Sequence, residues 1–266
     1  MAEANVRVLR FASLNNFRQL SPVVKSHLKR VYISLICALA ASAFGVYIHM
    51  LFNIGGFVTD LLFFQSIKWL HSTHTNQQST NRLYVLFLST VLKGASVGPM
   101  IKLAIDLDSS ILSTAFVGTS VVFSCLSCGA MLARRREYLY LGGLLTPGLS
   151  TLSPLLFASF IYRGYGSTWL FNIELYFGLF LFAGYMPVDT QEIVEKAHNG
   201  DMDYLEHSFS SFTDFVAVFV RVLIILMLKN SAHKVEKNSM ALLARLVCPV
   251  TKIVIHNMLD ARNREA

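Results

Sequence analysis

From residue 31 to residue 228 the chain is a succession of apolar runs, each near the roughly 20 residues that a helix needs to cross a bilayer core of about 30 Å. The runs fall near 31–52, 54–70, 83–105, 111–133, 138–162, 169–188 and 208–228. Backbone inside hydrocarbon must satisfy its own N–H and C=O groups, so runs of this kind become helices. The expectation is an all-α integral membrane protein, a bundle of seven transmembrane helices, with one re-entrant or incomplete helix as the variant. Composition agrees, with 54% of the 266 residues hydrophobic and 15% charged, where a soluble domain uses about 25% charged residues.

The second run is short and interrupted by Asp60 and Lys68, and the third contains Lys93 and Lys102. These two are the candidates for an incomplete crossing, because charge is costly in the hydrocarbon. Small residues are dense in "ALAASAFG" at 38–45 and "GGLLTPGLS" at 142–150 and allow close helix approach in lipid. The organisation expected is a basic N-terminal segment at 1–30, a membrane domain at 31–228 and a basic, partly apolar tail at 229–266. The first thirty residues hold no apolar core followed by a small-residue cleavage site, so no cleavable signal peptide is expected. Cys37, Cys125, Cys128 and Cys248 are too scattered for a disulfide framework and read as reduced packing residues.

A formal charge of +7 raises the question of nucleic acid. The positive residues sit at the ends of apolar runs without an interleaved aromatic platform, so no nucleic-acid partner is expected. Membrane topology explains them instead. Arg7, Arg10, Arg18, Lys25, Lys29 and Arg30 precede the first run, "RRRE" fills 134–137, and the alternate loop at 106–110 is "DLDSS". By the excess of lysine and arginine on cytoplasmic loops, the N-terminus is expected in the cytosol. Seven full crossings would put 229–266 on the other side, although that tail carries seven lysines and arginines against three acids. Parity and charge disagree there.

Ionisable side chains at membrane depth cost about 2.5–3.5 kcal/mol on insertion scales, so they need partners or water. Asp214 lies about two turns into the last run, and Arg221 follows seven residues later on the same helical face. Ser210 and Ser211 extend that polar stripe. Asp189 stands where the sixth run gives out, two residues after Pro187. Runs six and seven should be antiparallel neighbours. If the two aspartates meet, their charges repel and the pair would share one proton, which makes a pH sensor. As hard oxygen donors they would also suit Ca²⁺. The structural alternative makes Asp189 the N-cap of a loop helix beginning "DTQE" and pairs Asp214 with Arg221. The residues alone leave both readings open.

Other features say less. His71 and His74 in "HSTH" lack companions at zinc spacing, and the acidic stretch after Lys196 does not follow the EF-hand pattern. No nucleophile elbow, zincin motif or phosphate loop occurs, so no enzyme is expected.

The stretches "VGPMIKLAIDLDSSILSTAFVGTS" at 97–120, "MLARRREYLYLGGLL" at 131–145, "ELYFGLFLFAGYMPVDTQEIVEKAHNGDMDY" at 174–204 and "HSFSSFTDFVAVFVRVLIILMLKNSA" at 207–232 carry a resemblance. Through them the chain resembles the Bax inhibitor-1 family, and most of all its plant members, over about residues 10–235. The resemblance implies a seven-helix bundle of the endoplasmic reticulum membrane that suppresses programmed cell death and leaks calcium in a pH-dependent way. It implies that Asp189 and Asp214 match the carboxylate pair that gates the pore in bacterial relatives. It implies no cofactor, with calcium as the transported or regulatory ion. Implied partners are the lipid bilayer, other membrane proteins, and calmodulin through the basic tail. A non-conducting scaffold and a calcium/proton antiporter are the alternatives. Two departures stand out: Pro187 replaces an aliphatic residue, and the basic residue that locks onto the pair from the second helix of bacterial relatives has no match.

Overall fold

The computed structural model describes residues 21–72, 79–133, 138–161 and 165–233. They form α1 (Pro22–Phe52), α2 (Phe57–Ser72), α3 (Ser79–Leu107), α4 (Ser109–Leu132), α5 (Leu139–Ile161), α6 (Tyr165–His198) and α7 (Tyr204–His233), with no strand among the described residues. Five of these, α1, α3, α4, α6 and α7, are long and apolar enough to cross a membrane. With sixteen residues, α2 reaches only about 24 Å, short of the hydrocarbon thickness. Two of the charges that interrupt the second and third runs, Asp60 and Lys93, meet one another. The Ser96 hydroxyl donates to Asp60 Oδ1, and Lys93 Nζ lies 3.9 Å from the same oxygen and 4.9 Å over the Phe63 ring.

The last helix is the hub. Apart from Arg221, its run "FVAVFVRVLIILML" is apolar all round, the pattern of a helix surrounded by protein. Accordingly α7 packs against α1, α3, α4 and α6, and Phe212, Leu223 and Met227 on it are fully buried. Phe215 and Phe219 of α7 meet Phe116 of α4 edge to face, and Phe123 extends the ladder to Tyr32 of α1.

The small-residue stretch at 38–45 does what its composition suggests. A Cβ on Gly45 would strike the Val91 carbonyl of α3, and one on Gly94 of α3 would strike the Ser42 carbonyl of α1. The two backbones touch, as small residues permit in lipid. Beyond this crossing Asn53 takes a left-handed conformation at the end of α1, and His49 Nδ1 accepts from Gly55 N at 2.7 Å.

The sixth run requires a correction. Its end at residue 188 and a separate loop helix capped by Asp189 do not occur, because α6 continues unbroken to His198 with Pro187 inside it. Proline removes one backbone donor, and the residues after it still repay helix formation. Ile193 is buried with Leu28 and Val31 of α1, and Ala197 one turn on is buried too. The long loop expected at 189–207 therefore shrinks to residues 199–203. Gly200, at φ 93°, ends α6 while Asp201 N donates to the Lys196 carbonyl at 3.0 Å, a left-handed helix stop that glycine adopts without a Cβ penalty. Most of the basic N-terminal segment, the 134–137 loop, and the tail from 234 with its calmodulin expectation lie outside the described residues.

Candidate functional site

Asp189 lies nine residues before the end of α6, and Asp214 ten residues after the start of α7. At 1.5 Å per residue both sit about 14–15 Å from the turn that joins the helices, hence at one level. The side chains use this register, and the two carboxyl groups come within hydrogen-bonding reach of each other. The Ser210 hydroxyl donates to Asp189 Oδ2. Asp214 is buried, and its Oδ2 has no donor among the described residues. An orphaned carboxylate oxygen beside a second carboxyl group is a place for a shared proton, since a protonated acid is the donor that the pair lacks.

The pair closes the inner end of a cavity of about 340 Å³. Glu192, Lys196, Glu206 and His207 line its outer part, nearer the α6–α7 turn. Lys196 pairs with Glu192 at 2.8 Å. Four acids and one lysine thus line the recess, an arrangement that raises the local concentration of cations. Beyond the aspartates lies the aromatic ladder of Phe215, Phe219, Phe116 and Phe123, and Phe116, Phe215 and Phe219 also line a second, apolar cavity of about 410 Å³ between α1, α3, α4 and α7.

Arg221 is placed elsewhere. Seven residues put it on the face of Asp214 but about 10 Å further along the helix, where its guanidinium lies 4.5 Å over the Phe182 ring and donates to the Ala217 carbonyl at 3.1 Å. Glu174 is its acidic neighbour, and Gly178 leaves room for it. The structure brings Asp189, Ser210 and Asp214 together and leaves Arg221 out.

Three consecutive residues on α6 point to three neighbours, as a 100° step per residue requires. Asp189 faces α7. Thr190 donates to the Met186 carbonyl at 2.9 Å and lies 3.3 Å from Ser127 of α4, with the Tyr32 hydroxyl of α1 beside both. Gln191 accepts from Tyr138 N at 2.7 Å and reaches the Ala130 carbonyl at 3.3 Å, tying α6 to the ends of α4 and α5. The carboxylate is thereby held by its neighbours in sequence.

Sequence reasoning missed two polar links at this end of the bundle. Arg82 of α3 pairs with Asp203 at 2.6 Å, both about nine-tenths buried, while Asp203 Oδ1 caps α7 by accepting from Glu206 N at 3.4 Å. His27 of α1 meets His207 of α7 with ring nitrogens 3.0 Å apart. Nothing in local spacing links Arg82 to Asp203, or His27 to His207 180 positions away.

Residues 24–231 match the family described as inhibitor of apoptosis-promoting Bax1. Bax inhibitor 1 of Arabidopsis thaliana is 63% identical over 224 residues, covering 84% of this chain and 89% of the relative. Bax inhibitor 1 of Oryza sativa subsp. japonica is 57% identical over 227 residues, 85% and 90% of the two chains. The Homo sapiens protein of the same name is 38% identical over 234 residues, 87% and 98%.

Proposed function

The chain belongs to the Bax inhibitor 1 family, and on that premise we propose that it is a suppressor of programmed cell death acting as a pH-sensitive calcium leak in the endoplasmic reticulum membrane. One observation carries the reading: Asp189 and Asp214 meet at the inner end of an acidic recess, between two helices fit to cross the bilayer.

With one proton between them, the carboxyl groups hold α6 and α7 together and the path stays shut. Removing that proton leaves two anions in contact in a poorly solvated place, and they repel. A calcium ion attracted into the recess by Glu192 and Glu206 can take the proton's position, because deprotonated carboxylates are hard oxygen ligands. Proton and calcium compete for one seat. Whichever is bound selects between the shut arrangement and one in which α6 and α7 part.

The test is calcium flux through purified protein in liposomes as a function of pH. Asparagine at either position donates a hydrogen bond permanently and imitates the singly protonated pair. Asp189→Asn and Asp214→Asn should each flatten the pH dependence at low flux. If neither changes it, the pair is not the sensor. If cell protection survives in variants that conduct no calcium, the scaffold alternative takes its place.

A further inference from the structure

We propose that His27 and His207 form a proton-operated latch between α1 and α7, separate from the paired aspartates. His27 lies in the second turn of α1, and His207 in the first turn of α7. Nε2 of His27 is 3.0 Å from Nδ1 of His207, the rings stand edge to face with centroids 5.2 Å apart, and both side chains are buried.

The chemistry of the contact limits its proton count. Between two facing imidazole nitrogens 3.0 Å apart, one must carry hydrogen and the other must offer a lone pair. The neutral pair and the singly protonated pair both satisfy this. Full protonation puts a hydrogen on each facing nitrogen, removes the acceptor and sets two positive charges against each other. The bond then cannot exist in any ring orientation that keeps those nitrogens together. Imidazole is the side chain that changes charge over about pH 5–8, so acidification in that range is the trigger.

The surroundings decide where the second charge goes. Arg30 on α1 and Lys196 on α6 add positive charge near the rings, while Asp201 and Asp203 in the turn and Glu206 on α7 add negative charge. Asp203 is paired with Arg82 of α3, and Asp201 and Glu206 are the other anions near the rings. His207 and Glu206 both line the cavity below the aspartates, so a protonated His207 has open space beside a carboxylate to turn toward. His27 has neither in that cavity. The released state therefore has His207 in the recess and the start of α1 loosened from α7, with Leu28 and Val31 still packed on Ile193 of α6 in a cluster that Tyr204 borders.

The experiment measures distance, not flux, so it stands apart from the calcium reading. Spin labels at Ser26→Cys and Met202→Cys, in full-length protein whose four native cysteines are replaced by alanine, are read by double electron–electron resonance in phosphatidylcholine nanodiscs from pH 8 to pH 5. A longer distance should appear on acidification. It should vanish in His27→Gln and in His207→Gln, which keep a neutral hydrogen-bonding side chain. It should persist in the Asp189→Asn/Asp214→Asn variant. An unchanged distance in the parent protein overturns the latch, as does an acid shift that survives both glutamine variants or is lost when the aspartates are neutralised. Should the glutamine variants fail to fold, the parent and the aspartate variant decide by themselves.

Discussion

Arg82 and Asp203 offer the sharpest quantitative test of how this end of the bundle is held. Their charged atoms are 2.6 Å apart, with each side chain only 8% exposed. At an effective dielectric of about 20 the gross attraction is about 6 kcal/mol, much of it offset by the cost of taking both charges from water. Removing one partner leaves the other buried and unpaired, which costs about 3–5 kcal/mol. Arg82→Met and Asp203→Asn should each lower Tm in detergent by roughly 10 °C, at about 2–4 °C per kcal/mol. Asparagine caps a helix about as well as aspartate, so the second variant isolates the charge from the cap. In the double variant no charge is stranded, and most of the loss should return. The coupling between the two sites should therefore reach at least about 2 kcal/mol, within the range seen for residues in direct contact. Single losses below about 1 kcal/mol, or a double variant as damaged as the sum of the singles, would refute the argument that a buried ion pair fixes α3 to the α6–α7 turn.

Other outcomes follow from the same contacts. Gly94→Ala places a Cβ on the Ser42 carbonyl of α1, where backbone rather than a side-chain tip must yield, and should cost about 1–3 kcal/mol or more in thermal unfolding; an unchanged Tm would mean that the helices are further apart than described. Gln191→Ala removes the acceptor of Tyr138 N and the donor to Ala130, so it should cost about 1–3 kcal/mol while leaving the pH response of calcium flux in place. Asp214→Asn supplies the orphaned oxygen's missing proton in permanent form. Wild-type flux should rise as the pH is raised through loss of the shared proton, whereas flux in this variant should stay low at every pH; a variant that still responds would place the sensor elsewhere.

The helices were legible because lipid leaves backbone no alternative, and apolar run length is visible in a sequence. The end of α6 was not. Once a helix leaves the hydrocarbon its continuation depends on buried contacts such as Ile193 against Leu28, which leave no run of hydrophobicity. Pro187 costs α6 one backbone hydrogen bond, and packing outweighs that loss. Asp189 and Asp214 stood out by their cost, and antiparallel register could suggest that they meet. The Asp214–Arg221 alternative shows the limit of periodicity, which gives the face of a residue but not the distance between two turns. His27, His207, Arg82 and Asp203 join segments far apart in sequence, and no local pattern marks such pairs.

These links converge on one helix. Asp203 at the cap of α7 binds α3, His207 in its first turn binds α1, and Asp214 two turns later faces Asp189 of α6. Arg221 meets the ring of Phe182 on α6 two turns further on. A buried helix with its backbone bonds intact moves as a rigid rod, so displacement at one of these contacts is felt at the others. Repulsion between the aspartates pushes α7 from α6, and release of the histidines frees α7 from α1. The two events act on the same body through different titrating groups. Protonation of the histidines and deprotonation of the aspartates should consequently open the bundle from opposite ends of the pH scale. The α6–α7 separation should therefore respond at the alkaline end and the α1–α7 separation at the acidic end, and neutralising one pair should remove only its own response.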